Sequence, residues 1–161
     1  MMVGLTWILY PDEEKCVTGV NLTLGELELL IDGLSGDVDL VWVLIHLGIR
    51  SNPPPTPDWA PAASDLQAAF ASLQKLNSHG LIRVGRIEYA DGGPPGRLAP
   101  VRHIAEDMDS VVSRVEAAVR TACVEDDWAY SCWVVNTDDG NVIARATLDR
   151  LPDRGGKRNP G

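Results

Sequence analysis

The sequence predicts an α+β fold: a three-helix core followed by a β-hairpin, then a further helix and a second, C-terminal β-hairpin. Three observations carry this. Capping-box patterns at residues 23 and 64 each precede an apolar stripe of helical period. Strand-like runs flank Gly-containing tips at 91–96 and 136–141. Between the two hairpins, Met108, Val111, Val112, Val115, Ala118, Val119 and Ala122 recur at a 3.6-residue period.

Residues 3–10 (VGLTWILY) read as a short strand in an N-terminal extension, 1–21. The core spans 22–104. Thr23 and Glu26 form a capping box, and Leu27, Leu30, Ile31 and Leu34 continue a helix that ends near Gly36. Asp37 can cap the next segment, Val38 to Leu47, whose apolar residues fall on all sides, as in a buried helix or a central strand. Asp37 and Asp39 at the positive end of the dipole, with Gly48 in the stop position, favour helix. Five prolines between Arg50 and Ala63 make an extended connector. Ser64-Asp65-Leu66-Gln67 opens a third helix, striped by Leu66, Ala69, Phe70, Leu73 and Leu76 and stopped at Gly80. Leu81 to Tyr89 alternates if a bulge near Gly85 absorbs one residue, and Leu98 to Ile104 returns as an edge strand because Pro100 cannot donate a ladder hydrogen bond. The segment 105–150 supplies a helix, Ala105 to Ala122, and a hairpin pairing Trp128–Val135 with Val142–Leu148 across the Asp139-Gly140 turn. Residues 151–161 hold Gly, Pro and charge without apolar period, the pattern of a disordered tail.

With 161 residues, 45% hydrophobic and 23% charged, the chain has an ordinary soluble composition and enough length to bury a core without disulfides or metals. Fourteen Lys and Arg against 23 Asp and Glu leave a net charge of -9, which disfavours nonspecific binding to nucleic acid and to anionic membranes. Three cysteines, Cys16, Cys123 and Cys132, cannot all pair, so a reducing, cytoplasmic setting is expected, with Cys123 and Cys132 as buried thiols. The start lacks the basic flank of a secretion signal, and no run reaches the length of a membrane span.

No chemistry-bearing set emerges, so no catalytic residue, cofactor or metal site is expected. His103 with Glu106 and Asp107 has the residue types of an acid–base cluster, but acids at a helix start are accounted for by the dipole. His46 reads as a core or subunit-contact imidazole and His79 as a C-terminal helix cation. There is no Cys knuckle for zinc, the 136–141 turn puts Val135 and Ala146 where calcium needs carboxylates, and 92–96 lacks the lysine of a phosphate loop. Pro54 to Pro57 matches P-x-x-P, with Trp59 beside it, and a stiff connector explains both. Five tryptophans against one phenylalanine make Trp59, Trp128 and Trp133 candidate interface residues.

Three helices followed by a hairpin with a Gly-rich tip, and within it FASLQKLNSHGLIRVG, resemble a winged-helix domain over residues 22–104. WVVNTDDG at 133–140 is similar to a stretch in a family of small actinobacterial proteins that pair a winged-helix-like segment with a following helix; that family implies no activity. The winged-helix resemblance implies that 64–78 is a recognition helix and 81–104 a wing, with Gln67, Gln74, Lys75, Arg83, Arg86, Arg97 and Arg102 as contacts to DNA or to a partner. Residues 22–100 nevertheless carry five basic against nine acidic side chains, the wrong sign for DNA, whereas the hairpin alone is +2. The expected function is therefore a non-enzymatic protein-interaction module whose acidic surface suits a basic protein partner. The alternative is a winged-helix transcriptional regulator that uses the basic wing. A homodimer through the 105–122 helix or the final hairpin is also expected.

Overall fold

The computed structural model describes residues 21–89 and 100–150. The expected strand at 3–10, Cys16, the wing tip with Arg97, and the tail at 151–161 lie outside them.

Thr23 and Glu26 cap the first helix, α1 (Leu24–Asp32), reciprocally: each side chain accepts the other's backbone N–H at 3.0 Å. A 3-10 turn, Gly33–Ser35, completes this segment at Gly36. Strand β1 (Val38–Asp39) and helix α2 (Leu40–His46) divide the run expected to be one helix. The cap is Asp39 rather than Asp37: its Oδ1 accepts from the Trp42 N–H at 3.1 Å, because Val38 and Asp39 are already extended in the sheet. At the other end Gly48 adopts φ 77°, and Ile49 N–H donates to Leu44 O, so the chain leaves α2 in a Schellman turn.

Helix α3 (Ala63–Ser78) starts ahead of Ser64, so Ser64 is not its cap. Instead the Asp65 carboxylate accepts from the Ala62 N–H at 2.8 Å. Strands β2 (Ile82–Tyr89) and β3 (Pro100–Ala105) form the expected antiparallel hairpin, with β3 and its proline at the sheet edge. The bulge lies at Glu88/Tyr89, not near Gly85, where pairing to Ala105 is regular. Helix α4 (Met108–Thr121) is capped by Asp107, whose Oδ1 accepts from the Ser110 N–H at 2.8 Å.

The C-terminal hairpin does not form. Trp128 lies in a one-turn helix, α5 (Asp126–Ala129); Trp133–Asn136 is a single strand, β4; and Asp138–Arg150 is a helix, α6. Thr137 Oγ1 accepts from the Gly140 N–H at 3.1 Å, so the Asp-Gly pair sits in a first helical turn rather than at a hairpin tip. Gly140 is required there because a Cβ would collide with the Leu81 carbonyl. Ile143, Ala144 and Thr147 are buried while Val142 and Leu148 are exposed, a helical and not a two-residue period.

The result is an α+β fold with one four-stranded antiparallel sheet in the order β1-β4-β2-β3. Strand β4 enters between β1 and β2, its Val134 facing Val38 on one side and Val84 on the other. Asn136, at its end, donates to Leu30 O at 2.8 Å and to Asn141 Oδ1 at 2.9 Å, tying α1 and α6 to the sheet. Leu27, Leu30, Leu44, Leu73, Trp128 and Ile143 belong to one continuous core. Helix α4 turns Val111 and Val115 into that core and leaves Val112 and Val119 partly exposed, while the final hairpin, the other surface expected to mediate a homodimer, is absent. No helix among the described residues is long and apolar enough to cross a membrane.

Candidate functional site: an acidic groove beside Trp42

Residues 28, 31 and 32 share one face of α1, and residues 42 and 46 share one face of α2. Strand β1 runs between the two, and the far end of α6 closes the set. Together they line a groove of about 670 Å³ formed by Glu28, Ile31, Asp32, Asp37, Val38, Asp39, Trp42, His46 and Leu148. Its walls are apolar at Ile31, Val38 and Leu148, and four carboxylates surround them. Trp42 is 42% exposed, unusual for the largest apolar side chain in a helix that buries Leu40, Val43 and Leu44. Its ring lies 5.9 Å from that of His46, tilted by 37°. His46 Nε2 is 2.8 Å from Asp32 Oδ2, which holds the imidazole against the indole.

Asp39 is the carboxylate most affected by this setting. Burial pushes its pKa above the ordinary value, the N–H groups of Trp42 and Val41 oppose the rise, and Glu125 and Asp32 add to it. Next to it, across the β1–β4 pair, Tyr130 stacks on Trp133 at 5.7 Å and 12°. The Tyr130 hydroxyl is likewise pushed upward, first by burial and then by Asp126, Asp39 and Glu125. The negative field thus extends beyond the groove itself.

A folded-state pKa raised above the unfolded value means that the native state binds the proton more tightly. The stability cost of ionised Asp39 is therefore absent below the unfolded pKa near 3.8, grows as pH rises through the folded value, and is complete above it. Asp39→Asn keeps an oxygen to cap α2 and removes the charge. It is expected to raise the urea midpoint at pH 7 and to leave it unchanged at pH 3, a difference read from paired denaturation curves.

The sequence-derived contacts fare differently. Gln67, Gln74 and Arg83 are exposed, as a contact surface requires. Lys75 is engaged within the fold, its Nζ 2.7 Å from Glu26 Oε1 and 2.9 Å from Asn21 O. Arg102 pairs with Glu88 at 2.6 Å, and Arg86 lies 3.5 Å from Glu106, which Arg114 also holds at 2.6 Å. His103, in β3, bonds Trp133 O at 3.1 Å, so it forms no acid–base cluster with Glu106. Trp128, a candidate interface residue on an expected hairpin strand, is only 1% exposed and sits instead in α5, packed into the core of its own chain. Trp59 folds onto the body, edge-on to Trp128 at 6.1 Å with the Arg50 guanidinium 5.8 Å from its ring. Trp133 is half-buried under Tyr130.

The cysteines also divide. Cys132 is fully buried, and burial pushes its thiol up to about 12, an unreactive state at neutral pH. Cys123, expected to be buried, is exposed because the chain from Ala122 has already left α4, and it borders a small pocket of about 210 Å³ with Trp59 and Val124. Among the described residues, no three His, Cys, Asp or Glu side chains stand close enough to hold a metal ion.

Trp42 was legible only as one of several apolar residues in a run without a face. A signal for the groove was nonetheless present: the acids at 37 and 39, the indole at 42 and the imidazole at 46 fall on or just before two helical turns. Compared with protein-family models, curated proteins and solved structures, the chain finds no match in any of the three.

Proposed function

We propose that this protein is a non-enzymatic interaction module that receives a basic segment of a partner protein in the groove beside Trp42. The supporting observation is the exposed indole set among Glu28, Asp32, Asp37 and Asp39 over apolar walls. An Arg side chain suits all three features: its stem packs on apolar surface, its guanidinium stacks on an indole, and its five donors reach carboxylates. The net charge of -9 steers such a segment toward the protein.

The test is titration of a fluorescent peptide of alternating Arg and Ser, followed by anisotropy at low salt. Trp42→Ala is expected to weaken binding roughly 3- to 30-fold, the range of a partly desolvated cation–π contact. Asp37→Asn is expected to weaken it as well, and a matched Glu–Ser peptide should not bind. Affinity unchanged in both variants overturns the reading.

The winged-helix, DNA-binding reading has its support in exposed Gln67, Gln74 and Arg83 beside a three-helix and hairpin order. The acidic partners of Lys75, Arg86 and Arg102 weigh against it, since each neutralises a cation that a phosphate would need. Low-salt gel retardation abolished by Arg83→Ala would decide for DNA.

A further inference from the structure

The groove has a basic segment of its own chain close at hand. Leu148, which lines it, is two residues before the last described residue, Arg150, and the sequence continues as Leu-Pro-Asp-Arg-Gly-Gly-Lys-Arg-Asn-Pro-Gly. Residues 151–161 hold Arg154, Lys157 and Arg158 against Asp153, a charge of +2. Eleven residues reach at most about 40 Å when extended, ample to cross a groove that begins beside their point of attachment. Charge also selects this segment over the other two outside the described residues: 1–20 carries -2, with Asp12, Glu13 and Glu14 against Lys15, and 90–99 is neutral. Either would enter a ring of four carboxylates with less gain than 151–161.

We propose that residues 151–161 dock in the Trp42 groove of the same molecule, placing Arg or Lys side chains among Glu28, Asp32, Asp37 and Asp39, and so act as a resident competitor of any basic partner. The competition rests on the interaction reading above; the docking itself does not. A tethered ligand acts at an effective concentration of about millimolar, so contacts too weak to hold a free peptide can keep a tethered one in place. A partner then meets a groove that is only fractionally open, and its apparent affinity falls by that fraction.

The experiment uses the full chain and a full-length variant carrying Arg154→Ser, Lys157→Ser and Arg158→Ser. Nitrogen–proton NMR spectra are compared at the Trp42 indole N–H and at the Asp32, Asp37 and Asp39 amides. The expected result is that these signals differ between the two proteins, that signals remote from the groove coincide, and that the difference fades in 0.5 M salt, where the screening length is only about 4 Å. The difference should not depend on protein concentration; one that grows with concentration would assign the groove to the tail of a second copy and overturn intramolecular docking. Coincident groove signals at low salt would overturn the proposal outright. The Arg–Ser peptide then separates the two readings. Binding to the triple variant roughly 3- to 10-fold tighter than to the native chain supports both. Equal binding with coincident signals leaves the interaction reading standing and removes the tail. A groove that responds to the tail but takes no peptide supports docking and rejects the basic partner.

Discussion

Trp128→Ala is expected to lower the free energy of unfolding by about 3–5 kcal/mol, the range for truncating a large aromatic side chain in a core. The indole is 1% exposed, meets Trp59 edge-on, and belongs to the same cluster as Leu44, Leu73 and Ile143. Helix α5 has a single turn and no side-chain cap on its first residue; Trp128 and Ala129 supply its buried contacts, while Asp127, accepting from the Cys123 and Val124 N–H groups, ties it to the preceding turn. Chemical denaturation followed by far-UV circular dichroism should show the midpoint shift, and light scattering should show no change in mass. A loss below about 1 kcal/mol with a change in association would instead return Trp128 to an interface.

Glu26→Ala is the second large effect. The residue is 2% exposed, and its carboxylate accepts from Thr23 N–H at 3.0 Å, Ser72 Oγ at 2.8 Å and Lys75 Nζ at 2.7 Å. Removing it strips half of the α1 capping box, a term of about 1 kcal/mol, and leaves Ser72 without its acceptor. Breaking a fully buried ion pair costs about 3–5 kcal/mol, but the Lys75 side chain is 30% exposed and can turn toward water, so about 2–4 kcal/mol is expected in all. Glu26→Gln should cost less, because it keeps an oxygen for Thr23 or Ser72. A double-mutant cycle with Lys75→Met measures the pair directly, and a coupling energy near zero would free Lys75 for the nucleic-acid role that α3 was expected to serve.

Helices α1, α3 and α4 and the β2–β3 hairpin were legible because their evidence is local. Thr23 and Glu26 cap α1 within three residues, the apolar stripes of α3 and α4 repeat every helical turn, and Pro100 excludes itself from any but an edge strand, while the caps at Asp65 and Asp107 became visible only in the structure. The stretch 128–150 was not legible. Short apolar runs around an Asp-Gly pair serve a hairpin and a helix start equally well, and the deciding contacts are remote: Leu81 against Gly140, and Leu30 O with Asn136. The groove fell between these cases. Asp37, Asp39, Trp42 and His46 are neighbours in sequence, yet their accessibility depends on what packs over them.

By itself, then, the sequence determined the α+β class, the capped start of α1 at Thr23, the presence of α3 and α4, the β2–β3 hairpin and the acidic balance, all of them properties of residues a few positions apart or of the chain as a sum. Tertiary structure decided that β4 enters between β1 and β2, that α6 replaces a strand, that Trp128 is buried while Trp42 is left at the surface, and that Glu28 and Asp32 of α1 meet Asp37, Asp39 and Leu148 around one groove. The physical reason is range. Caps and turns satisfy hydrogen bonds between adjacent residues, whereas burial is shared among side chains a hundred positions apart, and an indole's exposure follows from which neighbours arrive.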